Sequence, residues 1–286
     1  MAKYALLRQE VIKAGLAEDD EIREPHSATL AELLRVHTAS YVERVLVGRL
    51  GASELRRLGL PWSPELVQRS RSSVGGTIEA SWAAIECGVA VNLAGGTHHA
   101  FPDFGAGYCV FNDVAVAIQS LRAEGRIRRA LVIDCDVHQG DGTAAIFQHD
   151  PGVFTLSIHG ADNFPMRKQK SNLDVALPDG ADDRVYLHHL RQALESVDAS
   201  ASGEFDVGFY LAGADCFHGD RLGRMAMTME GLQERDRCVL DWFRRRGIPV
   251  TIVMAGGYAR RIEDTVAIQL GTVRLAFELA RRIEET

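Results

Sequence analysis

Three side chains of types that bind metals occur at every second position after a short apolar run. The run, Ala130 to Ile133, is rich in β-branched residues, a pattern typical of a buried strand. Asp134, Asp136 and His138 follow at spacing two, which turns all three side chains to one face of an extended chain. An Asp pair at a strand end is also typical of a helix cap, but a third ligand type in step favours a metal site.

A further ligand type lies far away in the sequence. Asp215 follows another apolar run, in the tripeptide Gly213-Ala-Asp215, where a turn or a helix cap is the plain alternative. Zinc in catalytic sites commonly takes three protein ligands from His, Asp and Glu and keeps one more position open. Asp136, His138 and Asp215 would supply that set, and the ion would be a Lewis acid able to polarise a carbonyl group.

Several nearby residues could move protons or stabilise charge. His98 and His99 follow two glycines, and Asp134 and Asp141 could each hold the outer nitrogen of one imidazole, which fixes its tautomer and raises its basicity. A hydrolase needs such groups to take a proton from water and return one to a leaving amine. Tyr258, also after two glycines, could donate a hydrogen bond to a developing oxyanion. Tandem surface histidines and a tyrosine after a turn often have no such role, so this interpretation depends on the motifs lying together.

The second half of the chain supplies elements that could bring these residues together. From Gly88 onward, short apolar runs alternate with amphipathic stretches, which predicts a mostly parallel sheet covered on both faces. We predict strands at 89–93, 130–136, 153–158, 207–212 and 249–254, and helices at 112–124, 143–148, 183–197, 228–246 and 260–284. Four of these strands end in one of the motifs, and ligands of such sheets bind at the carboxyl ends of the strands.

The first part of the chain is predicted to be helical scaffold. Helices are expected at 3–16, at 27–48 and from Ser63 to about Cys87, with a short helical piece between 51 and 64. Gly75 and Gly76 inside the third helix predict a bend or a close contact. His37 and Tyr41, four residues apart on the second helix, are interpreted as a packed polar pair.

Composition argues against several classes of protein. The 286 residues carry a formal net charge of −7, which argues against direct nucleic-acid binding, and no apolar run approaches the length of a membrane span. The five cysteines are scattered and fit a reducing compartment, and the N-terminus is patterned as a helix and not as a signal peptide. We therefore expect one cytoplasmic catalytic domain over residues 1–286, without membrane contact.

Together the motifs resemble those of the zinc-dependent histone deacetylase family. The resemblance is carried by Gly95-Gly96-x-His98-His99, Gly107-Tyr108-Cys109-x-Phe111-Asn112-Asp113, Asp134-x-Asp136-x-His138-Gln-Gly-Asp-Gly, Gly213-Ala-Asp215-x-x-x-Gly-Asp220-Arg-Leu-Gly and Gly256-Gly257-Tyr258. Gln139 and the Gly-Asp-Arg-Leu-Gly run make the chain most similar to the class IV branch and its bacterial relatives.

The resemblance implies a three-layer α/β/α fold of the arginase and deacetylase type, with a mostly parallel sheet of about eight strands. Family members usually have a strand before the helix that begins here near Lys3. Either the natural start lies upstream or the sheet has one strand fewer.

The resemblance also implies a role for each site residue. The zinc ligands would be Asp136, His138 and Asp215, and the catalytic residues His98, His99, Tyr258, Asp134 and Asp141. Among these, His99 would be the proton-transfer base and acid, and His98 its more electrostatic partner. The acyl-lysine channel would be lined by Gly107, Tyr108, Leu222 and Gly257. A structural potassium ion would be held by Asp134, Ser157 and main-chain oxygens of Asp136, His138 and Ile158.

The implied activity is that of a zinc-dependent amidohydrolase, which removes acetyl or longer acyl groups from lysine side chains of proteins or peptides. A small-molecule deacetylase, for instance one acting on acetylated polyamines, would share every catalytic residue. A two-manganese ureohydrolase would need more carboxylate ligands than these motifs provide. A non-catalytic acyl-lysine binder would not need both histidines and the tyrosine. The sequence leaves open the choice between protein and small-molecule substrate, the acyl-chain length and the oligomeric state.

Overall fold

The computed structural model describes residues 2–200 and 204–284, and these contain six strands in one parallel sheet. The strands are β1 (Val89–Asn92), β2 (Ala130–Asp134), β3 (Val153–Gly160), β4 (Leu173–Leu177), β5 (Val207–Leu211) and β6 (Val250–Val253). They lie in the order β1-β6-β5-β2-β3-β4, and every neighbouring pair is parallel. Parallel strands need crossover connections, which contain a helix in every case except between β3 and β4, where residues 161–172 form a loop.

The helices of the described ranges lie before, between and after the strands. They are α1 (Ala2–Lys13), α2 (Leu30–Leu33), α3 (Ala39–Leu46), α4 (Ala52–Leu58), α5 (Pro64–Cys87), α6 (Asp113–Ala123), α7 (Asp141–Phe147), α8 (Asp183–Ser200), α9 (Met229–Arg245) and α10 (Ile262–Glu284). None of them is long and apolar enough to cross a bilayer.

Two apolar cores cover the two faces of the sheet. Along β2, Leu131 and Ile133 pack into one core and Ala130 and Val132 into the other, because side chains alternate along a strand. The first core includes residues of α1, α8, α9 and α10, and the second includes residues of α3, α5 and α6. The predicted three-layer α/β/α architecture is therefore confirmed.

The strand order explains how distant motifs meet. β1, β6, β5 and β2 are adjacent, and all four point the same way. Their carboxyl ends lead respectively to His98, Tyr258, Asp215 and Asp136. The crevice that parallel α/β sheets form at this edge therefore lies among all four motifs.

Details of the sheet differ from expectation. Over the described residues it has six strands, where the resemblance implied about eight. The edge strand β4 was not predicted, although Leu173, Val175 and Leu177 are more buried than the residues between them, which is the alternation of a half-buried strand.

A cavity of about 1540 Å³ lies beside β1, at the opposite edge of the sheet from β4. Residues of α1, α5 and α10 also line this cavity, and it reaches Tyr108 and Tyr258.

The single helix predicted over 27–48 is wrong, because the segment forms two short helices with a break between them. Thr29 and Glu32 form a reciprocal capping box at the start of α2. Thr38 has an extended backbone, donates its N–H to Pro102 O at 2.8 Å, and accepts at its hydroxyl from Tyr41 N to cap α3. Tertiary contact with the loop after β1 thus overrides local helix propensity.

His37 and Tyr41 are packed polar residues, as interpreted from their spacing. His37 Nδ1 lies 3.0 Å from Phe101 O, and Asn112 N donates to His37 Nε2 at 3.0 Å. The Tyr41 hydroxyl donates to Val110 O at 2.7 Å. Both side chains therefore fix the segment 101–112. The close contact expected at the paired glycines of α5 is also present, because a Cβ on residue 75 would collide with a main-chain carbonyl.

Burial of His37 leads to a prediction about acid stability. Burial lowers the pKa of His37 to about 4, against the opposing effect of nearby carbonyls. Between pH 6.5 and 4 the unfolded chain therefore binds a proton that the folded chain excludes, and stability falls as the pH falls. His37→Gln keeps a donor and an acceptor but does not titrate. In this window the free energy of unfolding of the metal-free protein, measured by urea titration, should fall less steeply with decreasing pH in the variant than in the wild type. The two slopes should differ by up to about 1.4 kcal/mol per pH unit. Parallel pH profiles of variant and wild type would show that His37 contributes nothing.

Candidate active site

Asp136, His138 and Asp215 converge beyond the carboxyl ends of β2 and β5. His138 Nδ1 lies 2.9 Å from Asp136 Oδ1 and 3.3 Å from Asp215 Oδ2. One ligand-type atom of each residue lies within 4.8 Å of those of the other two. Main-chain groups orient the carboxylates, because Val137 N donates to Asp215 Oδ1 and Gly256 N donates to Asp136 Oδ2. A Cβ on residue 256 would collide with both carboxylates, so only glycine fits there.

These three residues fit a zinc ion by their chemistry. Asp215 Oδ2 is buried and accepts no hydrogen bond from the described residues. Burial alone would lower the pKa of His138, but the nearby carboxylates of Asp136 and Asp215 raise it to about 11, so these three side chains favour a positive charge between them. Burial and the charge of Asp136 raise the pKa of Asp215 to about 6. A divalent cation in place of the proton would satisfy all three side chains.

The two adjacent histidines form two parallel pairs with carboxylates. His98 Nδ1 lies 2.6 Å from Asp134 Oδ2, and His99 Nδ1 lies 2.6 Å from Asp141 Oδ1. The two Nε2 atoms lie 3.1 Å apart, and the His99 ring is 5.9 Å from the His138 ring. All four members of the pairs are buried. The carboxylates occupy both Nδ1 atoms, so the Nε2 atoms are the ones that face the rest of the site.

The electrostatic environment distinguishes the two imidazoles. Burial alone would lower the pKa of His98, but the carboxylates of Asp134 and Asp136 outweigh it and raise the pKa to about 9. Burial and the neighbouring charge of His98 lower the pKa of His99 to about 4, although Asp141 opposes the shift. These opposite shifts favour His98 as the donor and a neutral His99 as the acceptor in the contact between their Nε2 atoms.

Tyr258 follows β6 on a loop that is fixed from two sides. Its backbone N–H donates to Asp220 Oδ2 at 2.6 Å. Lys3 of α1, only 5% exposed, donates to the carbonyls of Ala255 and Gly257 at 3.2 and 3.3 Å, and its Nζ lies 5.0 Å from the centre of the Tyr258 ring. Burial raises the pKa of the Tyr258 hydroxyl above its ordinary value, so this group remains a hydrogen-bond donor.

Two of the residues predicted to line the channel, Gly107 and Tyr108, lie among aromatic side chains. A Cβ on Gly107 would meet the His99 ring at 2.5 Å and the Phe164 ring at 3.2 Å, so these rings pack directly on that glycine. Tyr108 is 42% exposed, and its ring centre lies 5.8 Å from that of Tyr258. The backbone of Tyr108 has a positive φ of 67°, an uncommon conformation for a non-glycine residue that is typical of functional sites.

The other two predicted channel residues have different surroundings. Leu222 is exposed, and its carbonyl accepts from Asn163 Nδ2 at 2.9 Å, which ties it to the loop after β3. A Cβ on Gly257 would point at Thr265 and Ala214, so Gly257 can offer a channel only its backbone.

The residues implied to hold potassium lie at and just after the end of β2 and in the neighbouring strand β3. Asp134 is paired with Ser157 in the register of these strands, and Ile158 follows directly. Asp136 N donates to Asp134 Oδ1 at 3.1 Å, so the chain turns tightly just before His138. Asp136 and His138, which are also candidate zinc ligands, follow Asp134 directly in the chain.

Phe164 and Gln139 are among the residues of the site whose contacts were missed in the sequence. Phe164 packs edge-on against His99, with ring centres 4.9 Å apart, and it lies in the loop that follows β3. Gln139 anchors this loop, since its side chain donates to Gln169 O and Asp174 Oδ1 and accepts from Gln169 N. Phe164 could have been identified from the rule that sites of parallel sheets form at the carboxyl ends of strands, because it follows β3. The sequence near Gln139 contains no signal that predicts its partners.

A parallel α/β sheet with a buried Asp-His-Asp group beside two carboxylate-bound histidines defines a protein with a candidate catalytic metal centre. The histone deacetylase domain matches residues 1–270. An uncharacterized protein of Picosynechococcus sp. is 46% identical over 270 residues, which are 93% of this chain and 88% of that protein. Histone deacetylase 2 of Arabidopsis thaliana is 31% identical over 278 residues, 93% of this chain and 71% of that protein. A crystal structure of an HDAC homolog from Aquifex aeolicus superposes with a TM-score of 0.81 at 25% identity, over 98% of this chain and 82% of that one. The chain belongs to the histone deacetylase family.

Proposed function

We propose that this protein is a zinc-dependent amidohydrolase that removes acyl groups from lysine side chains of proteins or peptides. The observation that carries the proposal is the convergence of Asp136, His138 and Asp215 beside the carboxylate-bound pair His98 and His99. When bound, zinc would polarise the amide carbonyl and lower the pKa of water. Membership of the histone deacetylase family supports hydrolysis of an amide.

The residues around the proposed metal site have the groups that amide hydrolysis requires. Water adds to the acyl carbon, the carbon–nitrogen bond breaks, and the amine leaves with a proton, giving a carboxylate and a free amine. His99 Nε2 is the proposed carrier of that proton, because Asp141 holds its Nδ1. His98, bound to Asp134, is the charged neighbour. Tyr258 is the proposed hydrogen-bond donor to the developing oxyanion.

The exposed side chains at the mouth favour a peptide or protein substrate. Tyr108 and Phe164 are exposed large apolar residues that pack against Tyr258 and His99, Leu222 is exposed as well, and Met166 lies two residues after Phe164 and is exposed too. Such residues at a catalytic mouth give a polypeptide an apolar surface to contact. A small-molecule deacetylase is the second candidate, because it would use the same catalytic residues. Both candidates are tested by measuring the hydrolysis of acetyl-lysine peptides and of acetylated polyamines, each with and without a zinc chelator.

A structural potassium ion is also proposed. Its ligands would be the side chains of Asp134 and Ser157 and the main-chain oxygens of Asp136, His138 and Ile158. The register that pairs Asp134 with Ser157 supports it. Elemental analysis of protein purified without added potassium tests the proposal independently of zinc.

Peptides with medium or long acyl chains are expected to be hydrolysed with a higher kcat/KM than acetyl-lysine peptides. The cavity that reaches Tyr108 and Tyr258 offers room for an apolar tail. Each methylene that leaves water contributes up to about 0.8 kcal/mol, so an eight-carbon tail that fits could lower KM by orders of magnitude. The measurement is kcat/KM on one peptide sequence with chains from acetyl to myristoyl. A monotonic fall with chain length would contradict the expectation and leave plain deacetylation, of peptide or polyamine.

A further inference from the structure

A fully buried arginine joins the two backbone segments that carry the acidic candidate ligands. Arg235 of α9 has 0% exposure, and its Nη1 donates to Cys135 O at 3.2 Å and to Gly213 O at 2.6 Å. Cys135 immediately precedes Asp136, and Gly213 lies two residues before Asp215. One guanidinium nitrogen therefore bridges the segments that leave β2 and β5 toward the site.

Arg235 is itself fixed by a buried acid. Asp236 Oδ1 accepts from Arg235 Nε at 2.9 Å and lies 2.8 Å from Nη2. The Tyr210 hydroxyl of β5 donates to the same oxygen at 2.5 Å, and Thr272 of α10 donates to the other oxygen at 2.6 Å. The network connects α9, β5 and α10, so the guanidinium has one well-defined orientation.

This buried pair is not explained by stability alone. Removing the charges of an arginine and an aspartate from water is costly, and apolar residues of similar volume often give an equally or more stable protein. The position of Arg235 accounts for the pair better. The ladder between β2 and β5 ends at the pair Asp134 and Leu211, and beyond it the two segments lose the regular spacing of strands. Arg235 donates just beyond that point, to both segments at once.

We propose that Arg235 is a positioning residue for the metal site, which sets the separation of Asp136 and Asp215 and thereby the affinity for zinc. The proposal rests on the proposed function, because it assumes that these residues bind zinc. Spacing is critical here, since a Cβ on Gly213 would lie 2.7 Å from Asp136 Cα and 2.9 Å from Asp215 Oδ1. A small shift of either segment would therefore change the distance between the carboxylates.

The test measures zinc affinity separately from folding. The double variant Arg235→Met/Asp236→Leu removes both charges together, so that no buried ion loses its partner. Its zinc Kd, measured by competition with a chromogenic chelator, should rise by about 10- to 100-fold, the range for groups that orient metal ligands. The double variant leaves the buried Tyr210 hydroxyl and the carbonyls of Cys135 and Gly213 without these partners, so the melting temperature of the metal-free protein should fall. The zinc Kd is therefore compared at a temperature at which both proteins are folded.

Two single variants complete the experiment. Arg235→Lys keeps a cation, but its single nitrogen cannot replace both the nitrogens that hold Asp236 and the one that bridges the carbonyls of Cys135 and Gly213. Its zinc Kd should therefore lie between those of wild type and double variant. Arg122→Met is the matched control. Arg122 also joins a carboxylate, Asp150, to a main-chain oxygen, that of Arg128, but it does so near the amino ends of β2 and β3. Its zinc Kd should equal that of wild type.

The outcomes separate this proposal from the proposed function. If the wild type binds one zinc and the folded double variant binds it with unchanged Kd, the positioning role is overturned and the proposed function stands. If the double variant does not fold, Arg235→Lys decides: an increased zinc Kd supports the role, and an unchanged one overturns it. A wild type that binds no zinc overturns the proposed function and this inference with it.

Discussion

Asp136→Ala is expected to remove zinc and deacylase activity together. The wild type should contain about one zinc per chain and the variant essentially none, because only His138 and Asp215 would remain of a three-ligand set. Turnover of an acyl-lysine peptide should fall by about three orders of magnitude or more, since a Lewis acid contributes several kcal/mol to the transition state. Elemental analysis of the purified proteins and steady-state kinetics at saturating peptide measure the two effects.

The controls for this prediction separate ligand loss from structural damage. Asp136 accepts from two backbone N–H groups, those of His138 and Gly256. Asp206 also accepts from two, those of Arg128 and Arg129, but lies at the amino end of β5. Asp206→Ala therefore removes the same kind of contact far from the site, and should keep both zinc and activity. Two equivalents of manganese with ureohydrolase activity in the wild type would contradict the zinc assignment.

The sequence predicted the site best where residues of the site are close to strand ends. Asp136 and His138 meet as predicted, but β2 ends at Asp134 and not at residue 136. The bend after β2, in which Asp136 N donates to Asp134 Oδ1, therefore brings them together, and the period of a strand does not. The meeting of Asp215 with them was predicted from the general behaviour of parallel sheets and from the family resemblance. The adjacency of β5 to β2, which makes that meeting possible, is a property of the whole sheet and has no local signal.

The residues that were missed act over long separations in the chain. Lys3 contacts the carbonyl of Ala255, 252 residues away, and Arg235 contacts that of Cys135, 100 residues away. A charged residue in a helix is normally expected at the surface, so neither position suggested burial. The break at Thr38 has the same origin, because its N–H bonds to Pro102 O instead of extending a helix. Local propensity cannot reveal a tertiary partner of this kind.

Hydrogen bonds orient both histidine side chains proposed to be catalytic and the backbone of Tyr258. Asp134 and Asp141 fix His98 and His99 at Nδ1, and Asp220 fixes the backbone of Tyr258. Catalysis by positioned groups requires that they need no reorganisation when charge develops. The hydroxyl of Tyr258 can therefore be tested by a change that leaves its ring and backbone in place.

Tyr258→Phe is expected to lower kcat by about two to three orders of magnitude, the usual cost of removing one oxyanion donor. The hydroxyl should act in the transition state more than in the ground state, so KM should change little and kcat/KM should fall with kcat. The ring should keep its place, because Lys3 holds the carbonyls on both sides of residue 256 and Asp220 holds the Tyr258 N–H. Zinc content should therefore equal that of the wild type, which distinguishes this variant from Asp136→Ala.

Tyr4→Phe is the matched control for the hydroxyl, since Tyr4 is a half-buried tyrosine of α1 that also lies beside Lys3, with its ring centre 5.1 Å from Lys3 Nζ. The Tyr4→Phe variant should keep kcat within about twofold of wild type, because the Tyr4 hydroxyl is not expected to reach a reacting atom.

Burial raises the pKa of Tyr258, so the hydroxyl stays protonated and the ratio of wild-type to Tyr258→Phe turnover should be constant from pH 6 to 9. Equal turnover of Tyr258→Phe and wild type would place the hydroxyl outside the reaction. A loss of zinc in the same variant would instead show that the loop supports the metal site, and would remove the basis for assigning an oxyanion role to Tyr258.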